Sequence, residues 1–245
     1  MASNRNIDRM RVDAFLARAG LGTRREVGRL VRSGRVTLDG ERCRRAGDHV
    51  DGRVVRIDDE VIAPPPDVLH LVLHKPVGFA CSHDPREAPI IEELLPAEFA
   101  PLGLQAAGRL DRETSGLLVM STDGGVIHDL THPGRKVEKR YRVRFEGVLP
   151  AGAVARCTEG MLIEGSDRPT LPARLEIEDA THATIWLREG RFHQVRRMFE
   201  RLGVRVVELH RDRVGDYDLP LDLAPGDFLA LEDDDLGRLR SSSTL

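Results

Sequence analysis

Cysteine is scarce in this 245-residue chain: Cys43, Cys81 and Cys157 lie far apart and form no Cys-x-x-Cys pair. That spacing argues against a disulfide framework or a zinc finger. No run approaches the roughly 18 apolar residues of a membrane span. The opening Met1-Ala2-Ser3-Asn4-Arg5-Asn6 lacks the apolar core of a signal peptide. There is no Gly-x-x-x-x-Gly-Lys, no His-Glu-x-x-His, no paired aspartate cluster with metal spacing and no Gly-x-Ser-x-Gly elbow. The expectation is a cytoplasmic, reduced protein without metal or membrane association. Its length suits one large domain, or a small domain beside a medium one.

Lysine is nearly absent too. Lys75, Lys136 and Lys139 are the only three, so arginine carries almost all the positive charge. The formal net charge is −3, yet residues 11–57 hold twelve arginines against six acids. Codon bias explains arginine over lysine but not a local excess of cations over acids. A basic amino-terminal module on an otherwise acidic chain, with Glu232-Asp233-Asp234-Asp235 near its end, points to a nucleic-acid partner.

The basic segment has a readable plan. Val12, Phe15, Leu16 and Ala19 follow helical spacing, and Gly20 is a natural stop. Thr23-Arg24-Arg25-Glu26 fits a capping box opening a second helix, with Val27, Leu30 and Val31 on its apolar face. Arg24, Arg25, Arg29 and Arg32 then remain for phosphates. Val36 and Leu38 alternate into Asp39-Gly40, a two-residue hairpin turn, and Val54–Ile57 supplies another strand. So small a core suits a binding module rather than an enzyme. Arg11–Leu16, Thr23–Glu26 and Ser33–Gly40 resemble the S4 RNA-binding domain, which implies recognition of structured RNA by shape and phosphate.

Ala63-Pro64-Pro65-Pro66-Asp67 is a stiff spacer, giving a boundary between domains at 1–62 and 68–240. Beyond it the pattern predicts strands at Leu69–Leu73, Leu117–Met120, Tyr141–Phe145, Ala173–Ile177, Thr184–Leu187 and Val204–Leu209. A helical turn is expected at Ile90–Leu95, and Phe192, Val195, Phe199 and Leu202 mark a helix. Strands without regular βα alternation predict an α+β fold on a largely antiparallel sheet. The tail Ser241–Leu245 reads as disordered.

Three segments of this domain carry potential chemistry. Asp111 sits in Gly108-Arg109-Leu110-Asp111-Arg112-Glu113-Thr114-Ser115-Gly116, at the mouth of a strand. That position suits a catalytic carboxylate, and the same residues also make an ordinary turn. Tyr141, after Glu138-Lys139-Arg140, can stack a base or simply fill a half-buried strand position. His193, Arg196, Arg197 and Arg201 form a cationic helix face that solvent alone would also satisfy.

In this order, Gly108–Asp111 with Thr114–Leu117, Glu138–Tyr141 and Glu189–Met198 resemble the pseudouridine synthases. Leu73–Phe79 and Val207–Gly215 add matching runs, and the likeness covers residues 10 to 230. Within the family the chain is most similar to the bacterial branch with an amino-terminal S4 domain. Phe192-His193-Gln194-Val195 and Val207–Arg211 favour members acting on small-subunit (16S) ribosomal RNA over those acting on large-subunit (23S) RNA.

The resemblance implies a cofactor-free isomerisation in which uridine is detached at its glycosidic nitrogen, rotated and rejoined through carbon. It makes Asp111 the group that starts cleavage. Arg196 is expected as its counter-charge, offsetting the burial that disfavours an ionised carboxylate. Tyr141 is expected to stack the extruded base, Arg109 to fill the vacated stack or clamp a phosphate, and Leu209 to wall the uracil. Lys139, Arg191, Arg197 and Arg211 are expected phosphate contacts. The partner implied is ribosomal RNA or a pre-ribosomal particle, bound by a monomer. A non-catalytic S4-type assembly factor is the alternative from another class.

Overall fold

A computed structural model describes residues 10–64, 68–82, 84–87 and 89–241. The chain divides into two units, one made of residues 1–69 with Leu95–Leu104, the other of His70–Leu94 with Gln105–Leu245. Part of the proline spacer (Pro65, Pro66, Asp67) and the tail residues 242–245 lie outside the described residues.

The first unit follows its local signals closely. Helix α1 spans Val12–Arg18 and α2 spans Arg24–Arg32. Thr23 caps α2: Glu26 N–H donates to its hydroxyl, while Thr23 N–H donates to the Glu26 carboxylate at 2.8 Å. Four orphan N–H groups begin every helix, and this reciprocal pair satisfies two positions there. Strands β1 (Val36–Leu38) and β2 (Glu41–Arg42) form a hairpin. Its turn places Asp39 and Gly40 at φ 50° and 83°, the left-handed pair such a hairpin demands. Strands β3 (Val55–Ile57) and β4 (Glu60–Val61) complete a four-stranded sheet ordered β2-β1-β3-β4. Val12, Phe15, Leu16, Val27, Val31, Val36, Leu38 and Val55 bury together as the core. Arg24, Arg25 and Arg29 are exposed on α2.

The second unit is built on a nine-stranded sheet. In chain order its elements are β5 (His70–Lys75), β6 (Gln105–Ala106), β7 (Thr114–Ser121), α3 (Gly124–Thr131), β8 (Lys139–Glu146), α4 (Ala153–Glu159), β9 (Arg174–Ile177) and β10 (His182–Leu187). Then follow α5 (Gln194–Arg201), β11 (Arg205–Val214), β12 (Tyr217–Asp218), β13 (Phe228–Ala230) and α6 (Asp233–Arg240). The main order is β13-β5-β7-β11-β8-β10-β9, with β12 on β11 and β6 on β7. Every pair is antiparallel except β7 with β11. The fold is α+β, with a mixed, largely antiparallel sheet.

Paired residues share a face, and neighbours along a strand alternate. Leu209 pairs with Thr114, so Leu117 and Val119 point to the opposite face from Leu209. Two cores result. One packs Val143, Phe145, Ile185 and Leu209 against Val195, Met198 and Phe199 of α5. The other packs Val72, Leu117 and Val119 against Val126 and Leu130 of α3 and Leu236 and Leu239 of α6. Each such side chain contributes about 1.5–3 kcal/mol when fully buried.

The parallel β7–β11 contact depends on Gly116. Its φ is 113°, and a Cβ there would lie 2.1 Å from the Arg211 carbonyl oxygen. Only glycine permits that backbone approach.

Several elements differ from the sequence expectation. Strand β11 runs five residues past Leu209, and α3, α4 and α6 were not anticipated. The acidic run Glu232–Asp235 opens α6, where carboxylates favour the positive end of the helix dipole. Ser241 is not part of a loose tail, since its hydroxyl bonds the Asp216 carboxylate.

Candidate active site

Asp111 stands on the loop between β6 and β7, and that loop is held mainly through its backbone. Thr114 N–H donates to the Asp111 carbonyl at 3.0 Å, closing the turn. Gly78 N–H donates to the Arg112 carbonyl at 2.8 Å, and Arg112 Nε returns a bond to the Gly78 carbonyl at 2.9 Å. Leu110 N–H points to Cys81 Sγ at 3.5 Å, and the Leu110 side chain is buried. The flanking side chains being fixed, the Asp111 carboxylate projects from a rigid base, 28% exposed.

Lys75 supports this loop from beneath. It has no exposed surface, and its Nζ donates to the carbonyls of Thr114 (2.8 Å) and Pro76 (3.0 Å). Burial pushes the ammonium below the usual lysine range, while Cys81, Asp111 and Glu113 oppose the shift. Bonded to both carbonyls, the buried ammonium fastens the end of β5 to the start of β7. Sequence reasoning did not assign Lys75 to the site. The signal was available: a lysine inside an apolar strand, followed by proline, in a chain with three lysines.

One cleft is lined by Arg109, Asp111, Tyr141, His193 and Leu209, with Thr114, Leu187, Glu189, Gln194 and Val195 around them. The sheet explains the gathering. Leu209 of β11 pairs with Thr114 at the head of β7 and with Val143 on β8, two residues from Tyr141. Tyr141 is half-buried, Leu209 is 5% exposed and Arg109 is exposed. A wet carboxylate, a ring and an apolar wall thus share one opening.

His193 closes the cleft from the other side. Its Nε2 lies 3.5 Å from Asp111 Oδ1. The residue has φ 50°, a left-handed conformation that non-glycine residues rarely adopt. A bracket of hydrogen bonds holds the approach to it. Arg191 N–H donates to Gln194 Oε1 (2.9 Å), Gln194 Nε2 donates to Glu189 Oε1 (2.8 Å), and Leu171 N–H donates to the same oxygen (2.8 Å). Buried Gln194 therefore fixes the turn that aims His193. Among the described residues, no group of three His, Cys, Asp or Glu side chains could hold a metal ion.

Residues 69–201 match the family model described as RNA pseudouridylate synthase, and residues 10–61 match the S4 domain. The chain belongs to the RNA pseudouridylate synthase family. It is 37% identical to the ribosomal small subunit pseudouridine synthase A of Escherichia coli (strain K12), over 93% of this chain and 98% of that protein. The protein of the same name from Haemophilus influenzae (strain ATCC 51907 / DSM 11121 / KW20 / Rd) is 34% identical over 94% of this chain and 99% of its own length. A crystal structure of a pseudouridylate synthase superposes with a TM-score of 0.68 at 33% identity, covering 94% of this chain and 99% of that one.

In this synthase the cations are arranged differently from the sequence expectation. Arg196 is not the ion-pair partner of Asp111. Its Nη2 donates to the Glu113 carbonyl at 3.0 Å and its Nη1 reaches the Val206 carbonyl at 3.4 Å, while its Nε is buried without a partner among the described residues. It ties the Asp111 loop to β11. Arg211 does not face phosphate: it is 4% exposed, and its Nε donates to the Leu117 carbonyl at 2.9 Å. Its guanidinium spans β7 and β11 where Gly116 lets them close.

Arg191 is also committed. It bonds Glu189, the Ser166 hydroxyl and the carbonyls of Arg168 and Pro169, fastening the loop before β9. Arg197 donates to the Phe192 carbonyl at 3.0 Å and is half-buried. Lys139 is half-buried, and burial, assisted by Arg211, pushes its ammonium down to about 8. Helix α5 begins at Gln194, so His193 precedes it and Phe192 lies outside the apolar stripe, 73% exposed.

Proposed function

We propose that this synthase converts a uridine of 16S small-subunit ribosomal RNA to pseudouridine, with Asp111 initiating glycosidic cleavage. The observation that carries the reading is the Asp111 carboxylate, fixed by its loop backbone at a cleft shared with Tyr141, Leu209 and Arg109. The similarity to small subunit pseudouridine synthase A over nearly the whole chain supports the substrate class.

The isomerisation breaks N1–C1′, turns the base, forms C5–C1′, removes the proton from C5 and leaves one on N1. Atoms and electrons balance without an oxidant. The target base must first leave its stack, at a cost of a few kcal/mol. Tyr141 stacks the extruded base, and Leu209 packs on its apolar edge. Arg109, exposed beside Asp111, occupies the vacated position or clamps a phosphate. In the first unit, exposed Arg24, Arg25 and Arg29 meet phosphates. Lys139 and Arg197, both half-buried, are limited to short-range phosphate contacts.

Mapping pseudouridines in ribosomal RNA from cells lacking this protein tests the reading. Loss of one site in 16S RNA supports it. Loss of a site in 23S RNA reassigns the substrate, and an unchanged map favours an assembly factor.

A further inference from the structure

Phe192 departs from what apolar burial requires of a phenylalanine. Phe15, Phe145 and Phe199 are at most 2% exposed, whereas Phe192 is 73% exposed. It is the one aromatic among the strongly exposed large apolar side chains of the described residues. Its ring stacks on His193 with centroids 3.8 Å apart and planes 17° from parallel. His193 in turn lines the cleft and reaches Asp111.

The backbone on either side of the stack is constrained. His193 adopts φ 50°, a conformation that costs a non-glycine residue stability. The Phe192 carbonyl is tied by Arg197 at 3.0 Å. An apolar ring left in water, stacked on a residue that lines the cleft, suits an occupant that covers its open face. One face of the ring is covered by His193, so the other face is the one left open.

Resting on the function proposed above, we infer that the Phe192–His193 stack is a platform for a nucleobase flanking the target uridine. Flipping the target leaves its neighbour without a stacking partner. An aromatic face beside the pocket supplies one, and it accepts any base because every base has a π face. Tyr141 lies inside the cleft, so the two rings serve different nucleotides. Exposed Arg109 at the same cleft favours an RNA strand over an apolar protein segment. The platform also links strand binding to the reacting group, since its inner ring is the one that contacts Asp111.

The test uses the full-length protein, a 16S RNA transcript carrying tritium at uridine C5, and the variants Phe192→Ala, Phe192→Leu and Phe192→Tyr. Tritium release gives kcat and KM, and equilibrium binding gives Kd. Phe192→Ala and Phe192→Leu are expected to raise KM and Kd about tenfold. Phe192→Tyr is expected to stay within about twofold of the wild type, because it keeps the planar ring. Leucine matching the wild type, or alanine leaving Kd and KM unchanged, overturns the platform. Wild-type protein that binds but releases no tritium refutes the proposed substrate, while the Kd comparison still decides the platform.

Discussion

His193 Nε2 lies 3.5 Å from Asp111 Oδ1, and the two side chains are 38% and 28% exposed. A pair this open to water contributes about 0–1 kcal/mol. It orients the carboxylate more than it holds its charge. His193→Ala is therefore expected to lower kcat by about fivefold at most, with His193→Gln recovering part of the loss. Single-turnover kinetics check this, and a loss above a thousandfold would mean that His193 itself takes part in bond cleavage.

Arg196 makes a stronger demand. Its hydrogen bonds to the Glu113 and Val206 carbonyls join the Asp111 loop to β11. Hydrogen bonds from a charged donor contribute about 1.5–3 kcal/mol each. Lysine cannot reproduce the two-point contact. Arg196→Lys is expected to lower kcat by roughly ten- to a hundredfold and to speed amide exchange at residues 109–114. Unchanged exchange with lost activity would assign Arg196 directly to the substrate.

The β7–β11 junction makes a stability prediction. A Cβ at Gly116 would fall 2.1 Å from the Arg211 carbonyl oxygen, whereas one at Gly78, with φ 97°, meets nothing within 4 Å. Gly116→Ala is expected to cost more than about 3 kcal/mol, and Gly78→Ala only the 1–3 kcal/mol of backbone strain. Thermal melts of the two variants make the comparison. Equal losses would show that the close approach is not a constraint.

Much of the first unit was legible because its signals are local. Thr23 and Glu26 lie one turn apart, and Asp39-Gly40 specifies its own turn. In the second unit the site forms where β7, β8 and β11 meet, and nothing near Asp111 in sequence announces Leu209 or Tyr141. The resemblance to known synthases supplied that gathering. It did not supply the partners: helical spacing placed His193 and Phe192 on α5, but the left-handed turn at His193 takes both off the helix. Arginine itself was the other blind spot. Arg211 and Arg191 look like phosphate contacts as residue types, and only the burial of Arg211 and the carbonyl partners of both show that they fasten the fold.

Lys139 gives a pH dependence. Its ammonium is pushed down to about 8 in the folded chain, against about 10.4 when unfolded. Below pH 8 both states carry the proton, and the folded state bears the full desolvation cost. Between about 8 and 10.4 the unfolded chain binds more protons, so stability rises with pH. Lys139→Met is expected to be more stable than the wild type at pH 7, by on the order of 2 kcal/mol. That advantage should shrink steadily between pH 8 and pH 10. Urea titrations across pH 7–10 measure it, and a constant difference would contradict the burial-driven shift.

The central claim is that the Asp111 carboxylate starts glycosidic cleavage. Asp111→Asn keeps the shape of the side chain and all the backbone bonds of its loop, while removing the charge. The most direct measurement is tritium release from C5-labelled 16S RNA by this variant, alongside its Kd for the same RNA. The account predicts release at least about a thousandfold below wild type, some 4 kcal/mol of lost transition-state stabilisation, with Kd within about threefold. Release near the wild-type rate from a variant that binds normally would contradict it.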